Sequence, residues 1–270
     1  FILCFVFGTI GLLSIFIIYS KGLPSIDELK AYNPSLTSRV YSSDGILLKE
    51  YANEHRLFVS IDNVPDVIKY AFISAEDSNF YNHLGIDFIA ILKAMLSNVK
   101  AISNGGSMRG ASTITQQVVK NMLLTNERTI TRKIKEAILA LKITKVLPKD
   151  KILELYLNQI FLGYRSYGIV SASLNYFDKS IDEITIEEAA LLAAMPKAPS
   201  NLNPRSHYDD ALVRRNWVIK RMYREGYITE QEMEKAISTD IVLRTRKYDK
   251  YTNSGAVLED VRKNIIRVYD

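Results

Sequence analysis

Gly105-Gly106-Ser107-Met108-Arg109-Gly110-Ala111-Ser112-Thr113-Ile114-Thr115-Gln116-Gln117, continued by Lys120-Asn121 and then by Arg128, Arg132, Lys135 and Glu136, is the stretch around which this chain is organised. A glycine-rich loop meets a run of hydroxyl residues. Thr113 with Gln116 three positions on makes a capping box, which predicts that a helix begins here. The first backbone N–H groups of such a helix carry partial positive charge, so its start is expected to be an anion site, above all for phosphate, with the glycines allowing close approach. Lys120 sits one turn further in. Arg128, Arg132 and Glu136 are spaced by four and share one helix face, opposite Ile134, Ile138 and Leu141. On a solvated surface an Arg132–Glu136 pair contributes only about 0.3–0.5 kcal/mol; the anion-binding loop just upstream favours a functional role.

Working outward, 270 residues at 47% hydrophobic and 24% charged suffice for a sizeable core, as one large domain or two small ones. A net charge of +5 suits an anionic membrane surface or a phosphorylated substrate and makes no case for nucleic acid. The one cysteine, Cys4, excludes a disulfide framework, and no cysteine and histidine cluster has metal-ligand spacing. Phe1 to Ser20 carries no charged side chain and is long enough for a helix to span a bilayer, so residues 1–20 are read as an uncleaved membrane anchor. Residues 21–61 form a linker with short strands: Ser38-Arg39-Val40-Tyr41-Ser42, a turn at Asp44-Gly45, then Ile46-Leu47-Leu48.

From Asp62 to about Asn79 the pattern is helical, with Asp62 as cap, Pro65 in the first turn, and Val64, Ile68, Phe72 and Ala75 as the apolar stripe. Glu76 continues that buried row. A carboxylate there is costly unless paired or neutral, and burial raises its pKa toward the range a proton-transfer group needs. Asp77, Asn79, Tyr81, Asn82 and His83 crowd the same helix end, closed by Gly85; His83 reads as a hydrogen-bonding structural histidine rather than a metal ligand. Further on, Thr185 with Glu188 caps a short apolar helix stopped by Pro196, Gly226 ends a helix from about Asp209, and Thr229 with Glu232 caps another. Residues 62–240 thus form the main domain, periodicity fades over 240–255, and Ala256 to Tyr269 is a closing helix within a 241–270 linker. Ser97-Asn98-Val99-Lys100 and Ser173-Leu174-Asn175 match S-x-x-K and S-x-N patterns, but no K-T-G follows and both fall in helical segments, so a transpeptidase reading is rejected.

Glu76-Asp77-Ser78-Asn79-Phe80-Tyr81-Asn82-His83-Leu84-Gly85-Ile86-Asp87 resembles the first signature of the peptidoglycan glycosyltransferases, glycosyltransferase family 51. Ser112 to Gln117 with Lys120 and Asn121 resembles the second, and Arg132-Lys133-Ile134-Lys135-Glu136-Ala137 the third. Lys151 to Gln159 with Gly163 and Tyr167-Gly168 is similar to the fourth; Glu188 to Ala193, Pro196-Lys197-Ala198-Pro199 and Asn203-Pro204 match the fifth. Two departures stand out. Gly110-Ala111 replaces a Gly-Gly pair after a longer loop, and Arg165-Ser166 replaces a smaller pair before Tyr167.

The resemblance implies a mainly α-helical, lysozyme-like two-lobed domain of a class A penicillin-binding protein or a monofunctional relative. It would polymerise lipid II into glycan strands with inversion and release of undecaprenyl pyrophosphate. Glu76 and Glu136 would be the catalytic carboxylates, Glu76 as general base and Glu136 orienting cations or holding a metal. Substrate binding would fall to Asp77, Asn79, Phe80, His83, Ser112, Thr113, Gln116, Gln117, Lys120, Asn121, Arg128, Arg132, Lys133, Lys135, Asn158, Gly163, Lys197 and Asn203. No cofactor is required by the sequence, although family members are often helped by a divalent cation, Mg or Mn. The expected partners are lipid II, the growing glycan strand, membrane lipid, phosphoglycolipid inhibitors of the moenomycin type and cell-wall synthesis proteins, with no nucleic acid. The place implied is the extracytoplasmic face of the bacterial inner membrane, and a transpeptidase domain would follow Asp270. The semi-apolar stretch Phe88 to Ile102 would rest against the membrane; otherwise it is an ordinary amphipathic core helix. Two other classes remain, a lysozyme-like hydrolase with paired carboxylates and a noncatalytic membrane-bound scaffold.

Overall fold

The computed structural model describes residues 16–26, 38–41, 47–51, 55–103, 110–124 and 129–244, with 14, 43, 127, 260, 263, 264 and 267 as isolated positions. Residues 104–109 of the glycine-rich loop, Arg128, and most of the expected anchor and closing helix lie outside the described residues. Positions 16–20 are helical, and among the described residues no helix is long and apolar enough to cross a membrane.

The expected hairpin is present: β1 (Ser38–Tyr41) pairs antiparallel with β2 (Leu47–Tyr51), Arg39 opposite Glu50. A parallel pairing of β3 (His55–Arg56) with β4 (Ser166–Tyr167) has no sequence signal, because two residues are too few to show a period. The domain is otherwise helical: α1 (Asp66–Glu76), α2 (Phe88–Ser103), α3 (Ile114–Leu123), α4 (Ile130–Val146), α5 (Lys149–Gln159), α6 (Ile169–Phe177), α7 (Ile186–Ala194), α8 (Tyr208–Arg224) and α9 (Glu230–Ser238).

The expected helix from Asp62 to Asn79 is corrected at both ends. Asp62 does not cap it; Ile61–Asn63 is a separate 3-10 turn, and α1 starts after Pro65. The residue before a proline is driven out of helical conformation, and Val64 is extended (φ −87°, ψ 121°), so the two pieces cannot fuse. At the other end the helix stops at Glu76, with Asp77 at φ −158°. The remaining punctuation holds: capping boxes at Thr113/Gln116, Thr185/Glu188 and Thr229/Glu232, Pro196 in a 3-10 turn after α7, and Gly226 past α8 at φ +80°. Ser97 and Ser173 both lie within helices, α2 and α6.

From Glu188 to Ala194 every residue of α7 is buried, the mark of a core helix. It packs against α1 and α8, while α3 packs against α4 and α5, and one continuous apolar core joins both groups. Glu76 ends α1 in the first group and Gln117 stands on α3 in the second. The site forms where the groups meet.

Candidate active site

Glu76 is partly buried, and its Oε2 accepts a hydrogen bond from Gln117 Nε2 at 2.7 Å. Burial pushes its carboxyl above the ordinary value; the Gln117 bond and the charges of Arg214 and Lys120 oppose this, while Asp77 adds to it. The raised carboxyl expected from periodicity is therefore present, and its cause is desolvation. Beneath it lies Tyr156 of α5, wholly buried and edge-on to Phe72 at 6.1 Å, its hydroxyl pushed up by burial, Glu76 and Asp77. Lys120 of α3 is partly buried, and desolvation lowers its pKa against the attraction of Glu136.

Asp77 stands beside Glu76 in sequence but serves a different purpose. It is buried; His83 Nε2 lies 3.0 and 2.9 Å from its two oxygens, and the Ile114 N–H donates to Oδ2 at 3.0 Å. The Gly85 N–H donates to His83 Nδ1 at 3.0 Å, so the ring proton sits on Nε2 and points at Asp77. At the start of α3, where the anion site was expected, the Ile114 N–H is taken by the chain's own Asp77 carboxylate and the Gln116 N–H by Thr113 Oγ1 at 3.1 Å. An internal anion satisfies the positive end of the helix.

Several residues expected to bind substrate support the site from behind. Phe80 is fully buried, with Lys149 Nζ 4.5 Å from its ring centre and donating to its carbonyl. Thr113 Oγ1 donates to Gly85 O at 2.6 Å, and Gln116 closes the capping box. Asn79 Nδ2 donates to Asp87 Oδ2 at 3.3 Å, and Asp87 Oδ1 accepts the Ala90 N–H at 2.8 Å near the start of α2. Gly85 is required: φ is +97°, and a Cβ there would lie 2.3 Å from Ala140 O.

Across from Glu76 a cation cluster surrounds the second carboxylate. Glu136 is 1% exposed; Arg132 Nη1 donates to its Oε2 at 3.2 Å, and Lys133 Nζ binds its Oε1 and reaches Ser112 Oγ at 2.7 Å. This rules out an ordinary solvated pair. Both carboxylate oxygens are occupied, so Glu136 holds cations in place and is shielded from a substrate. Lys135 is partly buried and Asn121 exposed, and neither is hydrogen-bonded into the cluster among the described residues.

In the later motifs, Asn158, Gly163 and Asn203 make contacts within the fold. Asn158 is buried and grips the Val59 backbone, accepting its N–H at 2.9 Å and donating to its carbonyl at 2.8 Å. Gly163, at φ +74°, would bring a Cβ within 3.0 Å of Pro199 O and Tyr176 Oη, and Asn203 Oδ1 accepts the Arg205 N–H at 3.0 Å. Lys197 is exposed. Where Arg165-Ser166 departs from the family pattern, Tyr164 and Arg165 both have positive φ, 44° and 55°, and Ser166 turns inward to Asn175 at 2.9 Å.

Among the described residues no three histidine, cysteine or carboxylate groups come together, and the Asp77 and Glu136 oxygens have partners within the protein.

Sequence reasoning missed Arg214. It lies on α8, close enough to Glu76 to affect its ionisation, with its guanidinium 3.7 Å from the Trp217 ring. The signal was the chain's single tryptophan flanked at −3 and +4 by Arg214 and Arg221. On α2, Phe88, Ile89, Leu92, Met95, Leu96, Val99 and Ile102 are each 60–69% exposed, and Ile91 packs against the core. An ordinary core helix is excluded.

Residues 44–223 match the family model described as Transglycosylase. The chain is 49% identical over 250 residues to penicillin-binding protein 1A of Rickettsia prowazekii, covering 93% of this chain and 32% of that protein. Its similarity to penicillin-binding protein 1A of Aquifex aeolicus is 45% over 260 residues, covering 96% and 35%. The chain spans about a third of the length of the curated relatives it matches. A crystal structure of penicillin-binding protein 1A from Haemophilus influenzae matches with a TM-score of 0.48 at 27% identity, covering 88% of this chain and 25% of that one.

Proposed function

This chain belongs to the transglycosylase family, and from that premise we infer that it polymerises lipid II into peptidoglycan strands on a lysozyme-like two-lobed frame. The donor is the growing strand on undecaprenyl pyrophosphate, and the acceptor is the 4-hydroxyl of the N-acetylglucosamine of the next lipid II. Glu76 takes the proton of that hydroxyl as its oxygen attacks the anomeric carbon with inversion. Its raised carboxyl makes it a competent base near neutral pH. The departing pyrophosphate gains charge, which Lys120 and Arg132 stabilise from partly buried positions and Lys133 from an exposed one. Glu136 keeps Arg132 and Lys133 apart and aimed. The exposed apolar face of α2 rests on the outer leaflet of the inner membrane, where lipid tails enter, and residues 1–20 supply a single-pass anchor.

The observation that carries this reading is the arrangement of one available carboxylate facing a carboxylate-organised cation cluster. A hydrolase needs a second free carboxylate roughly 5–10 Å from the first. Asp77 and Glu136, the carboxylates of the same motifs, are buried and hydrogen-bonded within the protein. The test is purified Glu76→Gln with labelled lipid II and sizing of the products. Loss of the base should lower the polymerisation rate by on the order of 10²–10⁴ with the fold intact. Near-wild-type chain growth would remove Glu76 from the base role.

A further inference from the structure

α3 meets the end of α1 at two points. The Ile114 N–H donates to Asp77 Oδ2 at 3.0 Å, and one turn further along Gln117 Nε2 donates to Glu76 Oε2 at 2.7 Å. Two consecutive carboxylates are thus each held by the same helix. The placement of α3 leaves Gln117 little freedom. The Thr113–Gln116 capping box fixes the helix start, the Thr113 hydroxyl donates to the Gly85 carbonyl at 2.6 Å, and Val118 and Val119 are buried in the core. The two neighbouring glutamines divide the work. Gln116 closes the helix start by accepting the Thr113 N–H at 3.0 Å, whereas Gln117 gives its amide to a carboxylate.

We propose that Gln117 is a positioning residue for the proposed base: its amide holds Glu76 Oε2 and fixes the plane of the carboxylate, so that Oε1 is the oxygen that meets the acceptor hydroxyl. The inference rests on the reading of Glu76 given above and takes Gln117 out of the substrate-binding set. A neutral donor suits the task. A lysine or arginine at this point would hold the carboxylate as firmly but depress its basicity, whereas an amide orients the anion without a countercharge. The other groups that act on the Glu76 carboxyl are Asp77 beside it, Lys120 on α3, Tyr156 on α5 and Arg214 on α8. On α7, which also packs against α1, Glu188 is paired with Lys179 at 2.8 Å and Glu187 acts on Arg215. Among the described residues, Gln117 alone is hydrogen-bonded to the Glu76 carboxylate.

The experiment compares wild type with Gln117→Met and Gln117→Asn in the full chain. It records kcat and KM for polymerisation of labelled lipid II as functions of pH, and the affinity for a moenomycin-type phosphoglycolipid by calorimetry. Methionine keeps the length and bulk of glutamine but donates nothing, and asparagine keeps the amide but is one methylene too short to reach. Both remove a bond that favours the ionised carboxyl, so the acid limb of kcat should move to higher pH by about one to two pH units. At the alkaline end the loss is smaller, because there only the aim of the carboxylate is lost. KM and inhibitor affinity stay near wild type. Thermal unfolding confirms that each variant is folded. An unmoved acid limb in a folded variant overturns the inference; if KM rises and inhibitor binding weakens at the same time, Gln117 is a substrate contact instead. Glu76→Gln run alongside separates the two readings. If it retains polymerisation, the base assignment itself fails; if it is inactive while the Gln117→Met limb stays put, the Gln117 inference alone fails.

Discussion

Replacing Asp77 with asparagine tests whether this residue binds substrate or builds the site. Asp77 serves two N–H donors at once, His83 Nε2 and the backbone of Ile114, and does so while buried. His83 cannot turn into an acceptor on that side without giving up the Gly85 N–H, which needs the Nδ1 lone pair. Asparagine has the same shape but no charge: with its oxygen in the Oδ2 position it can accept from both donors but sets its NH2 group 3.0 Å from the His83 Nε2–H, and with its oxygen in the Oδ1 position the Ile114 N–H loses its acceptor. Losing a hydrogen bond to a charged group costs about 1.5–3 kcal/mol. At about 2–4 °C per kcal/mol for a domain of this size, Tm should fall by roughly 3–12 °C. The assay is thermal unfolding followed by circular dichroism, with KM for labelled lipid II measured well below both transitions. An unchanged Tm together with a raised KM would refute the structural role and return Asp77 to the substrate-binding set.

Because burial raises the Glu76 carboxyl, the folded chain holds a proton that the unfolded chain has lost, so this residue's contribution to stability declines as pH rises through the interval between the two values. Glu76→Gln should therefore be more stable than wild type at neutral pH, with the advantage vanishing well below the ordinary carboxylate range; a pH-independent difference in unfolding midpoint would contradict it. Lys120→Ala should weaken binding of a moenomycin-type phosphoglycolipid by roughly 1.5–3 kcal/mol, read by calorimetry, and unaltered affinity would make the cation cluster irrelevant to phosphate. Gly85→Ala must adopt φ near +97° and push a methyl against the Ala140 carbonyl, so backbone strain alone should cost about 1–3 kcal/mol, visible as a lower denaturation midpoint.

Much of this protein is local in origin and legible in the chain itself. Capping boxes at Thr113, Thr185 and Thr229, the stop at Pro196 and the left-handed Gly226 place helix ends, because each signal acts within four residues of the bond it makes. The apolar stripe of α1 likewise foretells that Glu76 is desolvated, since one helix face is set by spacing alone. Chain order cannot tell which of several polar groups will meet. Asp77 reaches the start of α3 across 37 residues, Gln117 reaches Glu76 across 41, and Asn158 grips Val59 across 99. Those distant partners give the first N–H of α3 an internal carboxylate and tie several of the expected substrate contacts into the fold. The same packing sets Arg214, far along the sequence, among the charges that act on the Glu76 carboxyl. Helix boundaries follow from short-range hydrogen bonding, whereas a charge's neighbours follow from how buried faces dock, and that docking separates the proposed base from the carboxylates tied into the fold.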